Sequence, residues 1–199
     1  MKSLLLSLLL FLFVFSGSVT AQSSNYELLE KSTMQVDGTS TIHDWTADVE
    51  EINIDVDFNT SALTAESEEN PVPSLTLTVP VESLESGKGR MNGKIYDALK
   101  KDDHPNITFE LSSAEVSEGS SSASSFTLNT TGTLTIAGVS EEINFPVEGS
   151  VIEDGVYTFT GSYELNMEDY EVDPPSAMFG TIKSGEMVTI SFELFFSEQ

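Results

Sequence analysis

Two histidines, His43 and His104, are the only imidazoles in this 199-residue chain, and it has no cysteine. A nucleophile would therefore have to be a hydroxyl or carboxylate activated by one of them. His43 lies between Ile42 and Asp44. A His–Asp pair can orient a base, but neighbours on an extended segment point to opposite faces. A structural role, with the ring bonding a loop backbone, is the expectation for His43. No Gly-x-Ser-x-Gly elbow or phosphate loop is present. Asp102, Asp103 and His104 are oxygen and nitrogen donors in a row. Consecutive residues rarely converge on one ion, and the wider ligand spacing of a zinc site is missing. Glu66, Glu68 and Glu69 lack the alternating oxygen ligands of a calcium loop. The expectation is a protein without catalytic residues, metal or cofactor, and not an enzyme.

The basic residues are distributed differently. Lys88, Arg90, Lys94, Lys100 and Lys101 fall within one short stretch of a chain whose net charge is −25. Lys88, Arg90 and Lys94 could dock an anionic head group, such as a diphosphate or an anionic lipid, through charge-assisted hydrogen bonds. The bland reading is a solvated helix face paired with Asp97, Asp102 and Asp103.

A third set is apolar. Leu77, Val79, Ile107, Phe109, Leu111, Phe145, Tyr157, Phe159, Ile190 and Phe192 each sit on the apolar phase of an alternating run. They could line a tunnel for a long apolar ligand. They could equally fill a ligand-free core, and periodicity does not separate the two.

The elements that position these residues follow from period-two alternation. Ile52–Phe58, Leu75–Val81, Ile107–Leu111, Ile143–Val147, Tyr157–Met167 and Val188–Phe196 each present one greasy and one wet face, as in an antiparallel sheet with one solvated side. Tyr26–Val36 and Phe126–Ile136 supply further strands. Asp37-Gly38, Ala137-Gly138 and Asp154-Gly155 read as hairpin turns. Glu66–Pro73 reads as an acidic loop, and Ser117–Ser125 as a Ser-rich one. Met91–Lys101 carries apolar residues at helical spacing, with Asp97 and Lys101 as an i,i+4 pair. A further short turn or helix is expected at Pro174–Gly180. About eight strands and one interrupting helix predict an all-β, antiparallel barrel or a two-sheet sandwich.

Residues 1–21 read as a cleaved secretory signal peptide: Lys2, an apolar Leu4–Phe15 run, then Val19-Thr20-Ala21. The run is short for a membrane span, which takes about 20 residues. Residues 22–199 then form one domain outside the cytoplasm, with no transmembrane anchor. Without cysteine it is stabilised by burial alone. Its surface, with 33 acids against seven bases, repels nucleic acid.

Several segments resemble the YceI-like family of polyisoprenoid-binding, lipocalin-like periplasmic proteins. Asp37–Trp45 (DGTSTIHDW) is similar to the family's first hairpin. Met91–Phe109, with Tyr96–Lys100 and His104–Phe109, is similar to its helix and following strand. Gly132–Val139 looks like its central hairpin, and Tyr170–Leu194 like its closing region. The resemblance covers essentially Tyr26–Phe196. The acidic loop and the Ser-rich segment depart from it. It implies an eight-stranded antiparallel lipocalin-like barrel whose internal tunnel takes an isoprenoid chain. It also implies a carrier or storage role near isoprenoid quinone metabolism or envelope stress. The implied partner is a polyisoprenoid or other long-chain lipid, and a homodimer is compatible with it. The rival is a structural or interaction module of the envelope with a filled core.

Overall fold

Alternation along the chain is realised as a single antiparallel sheet. The structure, a computed structural model, describes residues 26–63, 67, 69–117, 124–153, 155–177 and 181–199. The strands are β1 (Tyr26–Leu28), β2 (Thr33–Ser40), β3 (Trp45–Val49), β4 (Asn53–Asp57), β5 (Ser74–Pro80) and β6 (Leu84–Glu85). After α1 (Gly89–Ala98) come β7 (Asn106–Val116), β8 (Ser125–Ile136), β9 (Val139–Glu153), β10 (Val156–Asn166), β11 (Ser176–Ala177) and β12 (Ile182–Glu198). The signal-peptide reading falls on residues outside those described, as does most of the Ser-rich loop and part of the acidic one.

The hydrogen-bonded path runs β4-β5-β7-β8-β9-β10-β12-β2-β3-β6, with β1 and β11 both paired to β12. Ten strands therefore stand on the path, against the eight expected. The excess comes from short pieces. They are the five-residue β3 and the two-residue β6 that pairs with it, while β1, split from the expected Tyr26–Val36 strand, lies off the path. The sheet curls into a half-barrel whose path ends on β4 and β6. These ends are linked through the chain itself, because β5 runs through a 3-10 turn at Val81–Ser83 directly into β6. Glu50 N–H donates to Ser83 O (2.9 Å) and Val81 N–H to Pro105 O (2.8 Å), tying that corner to its neighbours.

Cross-strand pairing puts like with like on the inner face. Along β10 and β12, Tyr157 faces Phe196, Phe159 faces Leu194, Gly161 faces Phe192, Tyr163 faces Ile190 and Leu165 faces Val188. Such pairs are the unit of sheet stabilisation. The outer face carries the charges that keep it in water.

Three sequence expectations are corrected. Asp37-Gly38 is not a turn but lies inside β2, paired with β3, and the reversal falls at residues 41–44. Gly38 is needed there because the Trp45 ring lies on it: a Cβ at Gly38 would stand 2.3 Å from the ring. In the Pro174–Gly180 segment, expected to hold a short turn or helix, Ser176–Ala177 form β11 and residues 178–180 lie outside those described, while a 3-10 turn lies earlier, at Met167–Tyr170. Lys101 follows the end of α1, after Lys100 takes a left-handed backbone (φ 54°). It pairs with Glu82 at 3.5 Å, not with Asp97.

A candidate ligand-binding interior and its mouth

The curled sheet does not fill its own interior. A cavity of about 160 Å³ runs through its middle. Nine of the ten candidate lining residues, Leu77, Val79, Ile107, Phe109, Leu111, Phe145, Phe159, Ile190 and Phe192, stand in its wall. Leu77, Ile107, Leu111, Phe145, Ile190 and Phe192 point inward yet remain only half-buried. Core side chains in a close-packed interior have no such free surface. Tyr157 is the exception and does not line the cavity. Its phase on β10 is inward, but it lies beyond the cavity's end, edge-on to Tyr26 with centroids 5.8 Å apart.

Two features keep the space apolar and open. Thr130 is the one hydroxyl-bearing aliphatic side chain in this wall, and its Oγ1 donates to Phe145 O (2.6 Å), so the group is satisfied by backbone. The second feature is how the rings are seated. A Cβ at Gly161 would lie 2.5 Å from the Phe192 ring, and one at Gly132 would lie 2.4 Å from the Phe109 ring. Each ring therefore lies against a neighbouring strand's backbone at the glycine.

A second apolar cavity of about 90 Å³ adjoins the first, sharing Val36, Leu84, Ile107 and Ile190 with it. Its remaining wall includes Ile95, Ala98 and Leu99 from the helix region, and Met167, Tyr170 and Val172 from the 3-10 segment. Helix α1 turns Ile95 inward, and the Tyr96 hydroxyl holds the helix down by bonding Glu82 O and Leu84 O (2.9 and 3.0 Å). Burial pushes the Tyr170 hydroxyl above its ordinary pKa, with smaller contributions from Tyr163, Glu141 and Asp169. That hydroxyl is buried without a hydrogen-bond partner.

Outside these lies an open cleft of about 330 Å³, which shares Trp45, Ile95 and Pro175 with the second cavity. Lys88, Arg90 and Lys94 all line it, together with Ile42 and His43. Lys88 and Arg90 are exposed, and Lys94 donates to Ser176 O. None of the three forms an ion pair with a described residue, and no carboxylate of a described residue lines the cleft. In so acidic a chain this is a local inversion of sign. Trp45 is pinned at the junction, its Nε1–H shared between Thr39 O (3.1 Å) and Ser184 Oγ (2.9 Å).

His43 Nδ1 bonds Asp44 O (2.8 Å), and its backbone closes the β2–β3 turn through Ser40. The His104 ring lies against Gly138 in the β8–β9 turn. Among the described residues no group of three or more His, Asp or Glu is placed to hold a metal ion. Sequence reasoning named no residue of the second cavity's roof. Leu165 and Met167 carry the same alternation as the named strands, but Tyr170 and Val172 sit in irregular backbone with no periodic signal.

A curled antiparallel sheet around an apolar interior is the architecture of the lipocalin-like class. The chain matches the YceI-like domain over residues 19–196, and it belongs to that family. Its fold is similar to that of Burkholderia cenocepacia BcnA, with 19% identity, TM-score 0.68, and coverage of 85% of this chain and 99% of that one. It is also similar to a polyisoprenoid-binding domain from Saccharophagus degradans implicated in plant cell wall breakdown, with 15% identity, TM-score 0.64, and coverage of 88% and 99%. The YceI protein of Campylobacter jejuni shares the fold at 18% identity, TM-score 0.58, and coverage of 77% and 84%. No curated protein matches the chain. Among the described residues, no helix is long and apolar enough to cross a membrane.

Proposed function

We propose that this protein is a periplasmic or secreted binding protein for a long apolar ligand: a polyisoprenoid, an isoprenoid quinone or a similar lipid. The tail occupies the interior, and the polar end sits at the cleft lined by Lys88, Arg90 and Lys94. The role is carriage or storage rather than catalysis. One observation carries the reading: inward apolar side chains, Phe192 and Phe145 among them, border free space along the middle of the bore even where their rings touch. The polyisoprenoid-binding description of the Saccharophagus relative supports the ligand class.

The energetics are favourable. Each buried CH₂ contributes about 0.8 kcal/mol, so hiding a chain of about 20 carbons gains on the order of 16 kcal/mol. Association costs of roughly 4–15 kcal/mol offset much of that. The surplus needs no ionic contact. A filled module acting through its acidic surface would need the interior closed throughout, whereas the Phe109, Phe145, Tyr163 and Phe192 rings, though in contact, still border the cavity.

Native mass spectrometry of protein purified from its own cells, followed by solvent extraction, tests the proposal. A co-purifying lipid, or uptake of a prenyl alcohol from detergent, is expected. Protein that arrives empty and takes up no prenyl alcohol would refute it. N-terminal sequencing of the exported form should begin at Gln22.

A further inference from the structure

We propose that the aromatic end of the interior is a floor that sets the longest chain the protein accepts, with Phe58 as its removable element. This rests on the apolar-ligand reading above and goes beyond it to chain-length selection.

The large cavity is bounded at one end by Phe58, Phe159 and Phe196. Behind them Tyr26, Phe126 and Tyr157 line none of the cavity, so the space stops at the first three rings. Those three are locked together. Phe58 stacks on Phe159 (5.0 Å, 11°) and meets Phe196 edge-on at 5.3 Å, while Phe159 meets Phe196 at 5.9 Å. Tyr26 backs Phe58 edge-on at 5.0 Å. Phe196 is 1% exposed and Phe159 is 6% exposed. A chain entering from the mouth therefore meets a wall of packed rings, not solvent.

Depth follows from strand geometry. From Val188, in the wall of the second cavity, to Phe196 at the floor, β12 covers roughly 20 Å along the bore, taking about 3.3 Å per residue and a tilt of about 40°. Up to that depth each added carbon is buried. Beyond it the excess must stay at the mouth, in water. Phe159 and Phe196 are held by the β10 and β12 ladders, but Phe58 comes just after β4, outside the ladder. It is the ring whose loss opens the floor at least cost to the sheet.

The test offers an equimolar series of all-trans prenyl alcohols of increasing length, in detergent, to wild type, Phe58→Ala and Phe58→Trp. Native mass spectrometry reads the length distribution bound. Wild type should gain occupancy with length and then cut off. The cutoff should move to longer chains in Phe58→Ala and to shorter ones in Phe58→Trp. Occupancy of the first excluded length should change by roughly tenfold or more, the effect of a few buried CH₂ groups. Near-UV circular dichroism identifies a variant that has lost its packing, and Phe58→Leu, which keeps the floor filled, then replaces Phe58→Ala with a smaller shift expected. A cutoff at the same length in all variants, or none in wild type, would overturn the floor and leave the binding reading standing. Failure of wild type to bind any length would overturn both.

Discussion

At one end of the interior, Tyr26, Phe58, Phe126, Tyr157, Phe159 and Phe196 pack ring against ring with centroids 5.0–5.9 Å apart. Farther along the bore, Phe109 and Phe192 lie against Gly132 and Gly161 and border the cavity. Residue class does not distinguish the halves, since both are aromatic and aliphatic on a common alternation. Glycine seats occur in both, since Phe126 at the solid end lies on Gly149 as Phe192 lies on Gly161, and rings meet in both, since Phe145 touches Phe109, Tyr163 and Phe192. What differs is how completely the rings close the bore: Phe58, Phe159 and Phe196 each touch the other two, whereas the rings of the middle leave a cavity between facing strands. One curled sheet thereby holds a solid end, which carries stability, and a hollow middle, which is free for a ligand.

The largest expected effect measures that contrast directly. Phe196→Ala empties a sealed site, so it should cost about 3–5 kcal/mol in denaturant unfolding. Phe192→Ala removes a ring that already borders free space. No new sealed cavity forms, and the loss should be only about 1–2 kcal/mol. Equal, large losses would mean that the middle is as solid as the end.

Gly161→Ala approaches the same contrast from the other side. The added methyl cannot coexist with the Phe192 ring, so the ring must swing into the lumen or the strands must part. Overpacking of this kind costs about 1–3 kcal/mol. Uptake of a prenyl alcohol from detergent should fall, and adding Phe192→Leu to Gly161→Ala should restore it. Unchanged uptake in the single variant would show that the glycine seat does not set the bore.

Tyr170 tests the roof of the hollow half. Burial favours its neutral form, so its folded pKa lies above the ordinary value. Below pH ~10 both folded and unfolded chains keep the proton, and the hydroxyl adds no pH dependence. Above pH ~10 the unfolded chain ionises first, and stability falls as pH rises toward the folded pKa, by up to about 1.4 kcal/mol per unit. Tyr170→Phe removes a buried, unpartnered hydroxyl. It should be neutral or stabilising near pH 7 and should show a shallower alkaline decline in chemical denaturation.

The contrast between the halves was only partly legible in the sequence. Alternation is a property of the strand, so it located nearly every inward residue, including nine of the ten candidate lining positions. It says nothing about position along the bore, which is why Tyr157, correctly phased inward, proved to lie behind the floor. Nor does it separate hollow from filled. That depends on which side chains meet across the ladder and across the bore, a property of register and sheet curvature that single-strand patterns do not contain. Gly38 was read as a turn for the same reason, since its partner Trp45 is on the next strand. The convergence of Lys88, Arg90 and Lys94 with His43 and Ser176 joins segments far apart in sequence, so spacing could bring only the three bases together.

The smallest expected effect lies at the mouth, where water screens every charge. Replacing Lys88, Arg90 and Lys94 together with Gln should weaken binding of a prenyl diphosphate more than that of the prenyl alcohol with the same chain. The tail is buried equally in both, so its contribution cancels in the comparison. Only the diphosphate can accept charge-assisted hydrogen bonds from the ammonium and guanidinium groups. Exposed pairs are worth about 0.2–1 kcal/mol each, so the combined loss should be on the order of 1–3 kcal/mol at low ionic strength. It should shrink in high salt, because the Debye length falls to about 3 Å at 1 M. Titrating both ligands against wild type and triple variant at two salt concentrations reads the difference. A loss specific to the diphosphate and sensitive to salt gives the interior a charged entrance opposite its aromatic floor. Equal, small losses for both ligands would return the three bases to an ordinary solvated helix face and leave the apolar interior as the sole determinant of binding.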